Sequence, residues 1–267
     1  MMKKRLLLIA LAAVLLVSVF VLAGCGTKEE APADNGGYTL LKAGVLTVGS
    51  DCDYPPFIAL DADGNPEGFE YDMMLAIGEE MGLKIEYLSP QNFDTIIPQI
   101  QGGGKMDVGV SSFTITPERQ ELIDFTIPYF LDGVNQAITV PVDSDITSRD
   151  DFEGKKVGVQ AGTTGADWAE ENLEGITIVP FTNITDAFNA MMAGKVDACV
   201  NDLPAAEGLI SKSFSDIKVL EAAPTAEEYG IAVSKDNPKL TEALNDAIRK
   251  LESSGKLAEI TAKWIEN

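Results

Sequence analysis

Apolar residues recur along the chain in two rhythms, the short runs of β-strands and the three-to-four spacing of amphipathic helices. Leu46-Thr47-Val48-Gly49 is a strand run, followed by Ser50 to Phe57, a loop in which Pro55 and Pro56 forbid a regular element. A turn at Asp63-Gly64-Asn65-Pro66 leads to Gly68-Phe69-Glu70-Tyr71-Asp72. The spacing of Met74, Ile77 and Met81 then predicts a helix ending at Gly82. Lys84 to Leu88 alternates as a strand, and Phe93, Ile96, Ile97 and Ile100 mark a helical face that stops at Gly102-Gly103-Gly104. A strand over 107–110 completes this first pass.

The same order then repeats. Lys156 to Val159 reads as a strand, a helix carries Trp168 and Leu173, a strand spans Ile176 to Pro180, a helix spans Ile184 to Ala193, and a strand spans Asp197 to Val200. The passes share a joint, Gly104-Lys105-Met106-Asp107-Val108 against Gly194-Lys195-Val196-Asp197-Ala198. Two strand-helix-strand-helix-strand passes predict two parallel sheets covered by helices. Ligands in such sheets sit beyond the strand C-termini, which singles out loops 50–57, 111–119, 160–165 and 201–204. Between the passes a strand is expected over 134–140, and after them one over 227–233 and helices over 238–253 and 257–265. If these last elements return to the first sheet, the chain crosses between lobes twice. Hinge closure over a ligand is the motion that follows.

The N-terminus changes the picture of compartment. Lys3, Lys4 and Arg5 precede an apolar run from Leu6 to Leu22, and Leu22-Ala23-Gly24-Cys25 closes it, the pattern of a secretory signal over residues 1–24. Leu-Ala-Gly-Cys resembles a bacterial lipobox, which implies that Cys25 is acylated and that residues 25–42 tether the body to the membrane. Residues 1–24 hold three basic and no acidic residues, so 17 basic residues remain against 42 acidic ones, a net charge of −25. Nucleic acid and anionic lipid both need basic surfaces, so neither is an expected partner. The chain has no histidine, which excludes His-based triads, His-ligated zinc and imidazole chemistry. No metal and no cofactor is expected. Cys52 and Cys199 read as buried free thiols.

The richest stretch for chemistry is Ser111-Ser112-Phe113-Thr114-Ile115-Thr116-Pro117-Glu118-Arg119. Hydroxyls, backbone N–H groups and a guanidinium fork at a strand C-terminus suit a carboxylate. The plainer alternative is a surface ion pair at Arg119 with hydroxyls that only cap a helix. Opposite it, Gly162-Thr163-Thr164 opens a helix whose N-terminal N–H groups favour an anion.

Nearly all of the chain after the tether resembles the amino-acid-binding family of extracellular solute-binding proteins that serve ABC importers. The matching stretches include Asp51-x-x-Tyr54-Pro55-Pro56-Phe57, Gly68-Phe69-Glu70-Tyr71-Asp72, Thr114-Ile115-Thr116-Pro117-Glu118-Arg119, Gly154-Lys155-Lys156-Val157-Gly158-Val159, Gly162-Thr163-Thr164 and Tyr229-Gly230-Ile231-Ala232. The resemblance implies an α/β, two-lobed periplasmic-binding-protein fold of type II, with two parallel-rich sheets and a two-strand hinge. Lobe 1 would span 43–130 and 230–267, lobe 2 would span 134–225, and the hinge 129–133 and 225–229. It further implies that Arg119 grips a ligand's α-carboxylate with backbone and hydroxyl donors at Thr114 and with Thr163 and Thr164 from the other lobe. Asp202 would take the α-ammonium, and Tyr54 and Phe93 would wall the side chain. Asp51, Ser111, Ser112 and Gln160 line the remainder. Asp51 argues against aspartate or glutamate, whose side-chain charge it would repel, and in favour of a basic or polar amino acid. Gln160 departs from the lysine/arginine/histidine-type and the glutamine-type patterns alike. The implied protein is a monomeric, extracytoplasmic, lipid-anchored and non-enzymatic partner of an ABC permease. The alternatives are a cyclohexadienyl or arogenate dehydratase-like enzyme of the same fold, working with Asp51, Glu70, Asp72 or Asp202, and an amino acid sensor.

Overall fold

A computed structural model describes residues 37–131 and 135–266. The expected signal segment, Cys25, the tether up to residue 36, and positions 132 and 133 of the first hinge crossing lie outside the described residues. The last tether residues are already fastened to the body. Thr39 exchanges hydrogen bonds with the Asn237 side chain, and Leu41 N donates to Asp107 Oδ1 at 2.8 Å.

In chain order the elements are β1 (Val45–Gly49), β2 (Asp53–Tyr54), β3 (Ile58–Leu60), β4 (Pro66–Glu67), α1 (Phe69–Met81), β5 (Lys84–Tyr87), α2 (Phe93–Gly102) and β6 (Val108–Gly109). Then come α3 (Pro117–Leu122), β7 (Asp124–Phe125), β8 (Gln136–Pro141), a 3₁₀ turn (Arg149–Phe152), β9 (Lys156–Gln160), α4 (Thr164–Asn172), β10 (Thr177–Phe181) and α5 (Ile184–Met192). The chain closes with β11 (Ala198–Asp202), α6 (Leu203–Lys212), β12 (Ile217–Ala223), β13 (Ala232–Val233), α7 (Pro238–Ser254) and α8 (Lys256–Trp264).

Two five-stranded sheets form, ordered β5-β1-β6-β13-β7 and β10-β9-β11-β8-β12. In each, the strands of one pass run parallel, with β1 between β5 and β6 and β9 between β10 and β11. The remaining two strands of each sheet join antiparallel, so both sheets are mixed. The first sheet therefore recruits β13 from the far end of the chain, and α7 and α8 follow it to pack on α1. Leu240, Leu244, Ala247, Ile248 and Leu251 recur at helical spacing on the buried face of α7. Burying a leucine or isoleucine there contributes about 1.5–3 kcal/mol. Among the described residues no helix is long and apolar enough to cross a membrane.

Three expectations need correcting. The loop 50–57 is not wholly irregular, because Asp53–Tyr54 pairs with Ile58–Leu60 in a three-stranded sheet just ahead of and behind the prolines. The strand expected over 227–233 shrinks to Ala232–Val233. Ala226 has φ 51°, and Tyr229 makes only isolated bridges, to Thr114 and Phe130, as the chain turns between the sheets. Asp72 is not beside the cleft: it accepts hydrogen bonds from Lys263 Nζ (2.6 Å) and Trp264 Nε1 (2.7 Å) and holds α8 against α1.

The core is continuous where the two halves meet. Phe57 packs edge-on to Phe69, Phe130 and Tyr229, with ring centroids 5.0–6.1 Å apart, and Phe57, Phe69 and Tyr229 are fully buried. This aromatic knot fixes the crossover segments beside the loops that carry the polar chemistry.

Candidate functional site

The loops at the strand C-termini of both sheets converge on one pocket, and every residue expected from the sequence to bind the ligand lines it: Asp51, Tyr54, Phe93, Ser111, Ser112, Thr114, Arg119, Gln160, Thr163, Thr164 and Asp202. Gly165 and Asn201 complete the wall. The enclosed space is about 20 Å³, the scale of one or two water molecules.

Arg119 occupies one end. Thr116 caps α3 by accepting a hydrogen bond from Arg119 N at 3.2 Å, so part of the plainer alternative holds, yet the guanidinium turns inward. Its Nη1 donates to Thr114 O (2.8 Å) and its Nη2 crosses to Gly162 O (3.0 Å). The guanidinium carbon lies 5.7 Å from the centroid of Phe93 and 5.8 Å from that of Phe113, two rings that themselves stack at 4.6 Å. Burial holds its pKa below the usual arginine value and strengthens its hold on any anion that reaches it. The α4 N-terminus faces the same end. Thr163 is its cap, accepting from Ala166 N at 3.1 Å and donating to Gln160 O at 2.8 Å, so its hydroxyl is engaged in the turn.

Asp51 forms the opposite end. Ser111 Oγ donates to its Oδ1 at 2.6 Å and Gln160 Nε2, from the second sheet, donates to Oδ2 at 2.8 Å. Burial raises its pKa, and the Ser111 and Gln160 bonds pull it back. Ser112, at φ 50°, is held from behind: its N–H and hydroxyl donate to Glu70 Oε1 at 2.7 and 3.0 Å, and Tyr129 OH donates to the same oxygen at 2.5 Å. Burial pushes the Glu70 carboxyl to about 7. Glu70 thus lies behind the wall rather than on it.

The side facing Tyr54 is rich in acceptors. Asp202 accepts from Gln136 Nε2 (2.5 Å) and from Tyr229 OH, while its N–H donates to Tyr54 OH at 3.2 Å across the pocket. Burial, and next the charge of Glu227, push its carboxyl up to about 6. Glu227 is the main residue that sequence reading missed. Its Oε2 accepts from Thr114 Oγ1 (2.5 Å) and Thr164 Oγ1 (2.9 Å), and its Oε1 accepts from Gln136 Nε2 (2.9 Å). Both threonine hydroxyls therefore reach the same Glu227 oxygen in this structure, and they lie 3.4 Å from each other. Only the run Glu227-Glu228 just ahead of Tyr229-Gly230 hinted at it, and Gln136 showed only as a polar residue opening an apolar strand. Gly165 leaves room for Gln136: a Cβ there would sit 2.8 Å from Gln136 Oε1, and that side-chain end would have to shift. Cys52 and Cys199 are buried free thiols, as expected. Burial pushes the Cys52 thiol up to about 12.

A pocket between two mixed α/β sheets joined by two crossings, with a half-buried arginine at one end and carboxylates on the other walls, is the arrangement of a two-lobed solute-binding protein. The chain belongs to the bacterial extracellular solute-binding proteins of family 3, whose model matches residues 46–267. It is 30% identical over 249 residues to the L-cystine-binding protein TcyJ of Escherichia coli (strain K12), covering 93% of this chain and 92% of that one. It is 33% identical over 263 residues to a probable histidine-binding protein of Neisseria gonorrhoeae, covering 95% and 94%. Among solved structures, an ancestral arginine-binding protein bound to arginine superposes with a TM-score of 0.78 at 37% identity, covering 83% of this chain and 98% of that one.

Proposed function

We propose that the protein binds a polar or basic L-amino acid between its lobes, outside the cytoplasm, and delivers it to the permease of an ABC importer, held to the membrane by a lipid on Cys25. Lobe 1 is 43–130 with 230–267, lobe 2 is 134–225, and the hinge is 129–133 with 225–229. Arg119, assisted by the backbone N–H groups of Thr114 and the α4 N-terminus, takes the α-carboxylate, and Asp202 takes the α-ammonium. Tyr54 and Phe93 flank the side chain, whose far end meets Asp51, Ser111, Ser112 and Gln160. The observation that carries this reading is the pairing of Arg119 and Asp202 from opposite lobes in one pocket. Their opposite charges match the two ends of an amino acid zwitterion.

The names of the relatives, for cystine, histidine and arginine, support an amino acid ligand. A basic side chain is favoured by Asp51 and by the outer cleft. There Glu118, Asp167, Glu170, Glu171 and Glu227 surround the approach to Arg119 and Thr164, in a depression of about 650 Å³. Acidic walls raise the local concentration of a cationic ligand. Binding rather than catalysis is favoured because Asp51 and Asp202 are each held by several hydrogen bonds. Calorimetric titration of the mature protein with the twenty amino acids and L-cystine tests the reading. Saturable heat is expected with arginine, lysine, histidine or a polar relative, and no heat with any of them refutes it.

A further inference from the structure

The direction of four hydrogen bonds carries an inference that rests on the reading above and sharpens it. Each threonine hydroxyl has one proton, and the hydroxyls of Thr114 in one lobe and Thr164 in the other, 3.4 Å apart, both reach the same oxygen of Glu227, which as a carboxylate only accepts, so the two protons serve this cluster of three contacts. Neither hydroxyl retains a proton for a ligand carboxylate, and what each can still offer is a lone pair. Glu227 and Asp202 are joined through Gln136 Nε2, 2.9 Å from one and 2.5 Å from the other. Beside them Asn201 lines the pocket, is 5% exposed, and its side-chain oxygen has no hydrogen-bond partner among the described residues. This wall is rich in acceptors, and the group that satisfies it is a compact cation carrying several N–H donors. An α-ammonium fits that description, whereas a hydroxyl or keto oxygen brings too few donors.

We propose that Glu227 is a specificity-determining residue: by taking the Thr114 and Thr164 protons it makes this corner an acceptor for ammonium, so that the pocket selects α-amino acids over carboxylic acids that lack the amine. Carboxylate recognition then falls to Arg119 and backbone N–H groups alone. Glu227 stands where the chain recrosses between the sheets, next to Ala226 in a left-handed conformation, so its placement depends on that crossing. It acts through the threonine hydroxyls as well as by its own charge, and its contribution is to discrimination rather than to overall grip.

The test compares wild type with Glu227→Gln, using L-arginine and 5-guanidinopentanoate, which keeps the carboxylate and guanidinium and lacks only the ammonium. If glutamine binds tighter, L-glutamine and its des-amino acid serve instead. Both affinities are measured by calorimetry, the weaker by displacement at millimolar concentration. The variant is expected to narrow the preference for the amino acid by about tenfold or more, through weaker amino acid binding and unchanged or tighter binding of the des-amino acid. Equal weakening of both ligands, or an unchanged ratio, overturns the proposal. Failure of the wild type to bind any amino acid would instead overturn the functional reading beneath it. If the variant lacks a native circular dichroism spectrum, Thr164→Val serves, removing one lone-pair acceptor while leaving the carboxylate. The same narrowing is expected, and its absence overturns the proposal.

Discussion

Asp202→Asn separates the cost of the unliganded pocket from the gain on binding. Asp202 is buried, and desolvation followed by the neighbouring Glu227 charge moves its carboxyl from 3.8 to about 6. Holding that charge costs the unliganded fold about 3 kcal/mol at neutral pH. The amide removes the charge but meets Gln136 Nε2 and the Tyr229 hydroxyl with one oxygen instead of two, so about 1–2 kcal/mol is recovered. For a domain of this size that raises the melting temperature by about 2–8 °C. Ligand binding moves the other way. Removing one partner of a buried charge pair costs about 2–5 kcal/mol, so affinity falls by at least about thirtyfold. Differential scanning fluorimetry without ligand and calorimetry with it give both numbers from one preparation. A variant that melts lower and binds as tightly as wild type would refute the assignment of Asp202 to the ammonium.

Gln160→Leu frees Asp51 Oδ2, which now accepts from Gln160 Nε2 at 2.8 Å. The ratio of arginine to glutamine affinity should rise by about tenfold, and an unchanged ratio in paired titrations would mean that Asp51 does not face the ligand side chain. The pH dependence has an unusual sign. Burial is the largest cause of raised pKa values at Asp53 and Asp202, each about 6, and at Glu70, about 7. Between about pH 4 and 7 the folded state therefore binds more protons than the unfolded chain, so the stabilisation is present at low pH and is lost as pH rises through that window. The unliganded protein should melt higher at pH 5 than at pH 7.5, while ligand affinity weakens below about pH 6 as Asp202 protonates. A melting temperature that climbs with pH across the window would contradict this account.

The β-α alternation made the two sheets legible, because each pass closes its own strands through local connections and its loops must emerge at one edge. That is why Asp51, Arg119, Gln160, Thr164 and Asp202 were all found from sequence. Residues placed by the crossings were not legible. Glu227 meets Thr114 across 113 positions and Gln136 across 91, and no periodicity links such partners. Asp72 was misplaced for a simpler reason. Two residues along a helix are about 200° apart, so Glu70 turns inward to Ser112 while Asp72 turns outward to Lys263 and Trp264. The antiparallel strands β8 and β12 gave the second sheet its mixed character, which a reading of two parallel passes did not contain.

In the proposed mode of binding the ligand carboxylate ends on the Arg119 guanidinium. Arg119→Lys keeps the charge and loses the planar fork that reaches Thr114 O and Gly162 O. Calorimetry of this variant with the amino acid that wild type binds best should show affinity reduced by about a hundredfold or more. Affinity within about threefold of wild type would contradict the account.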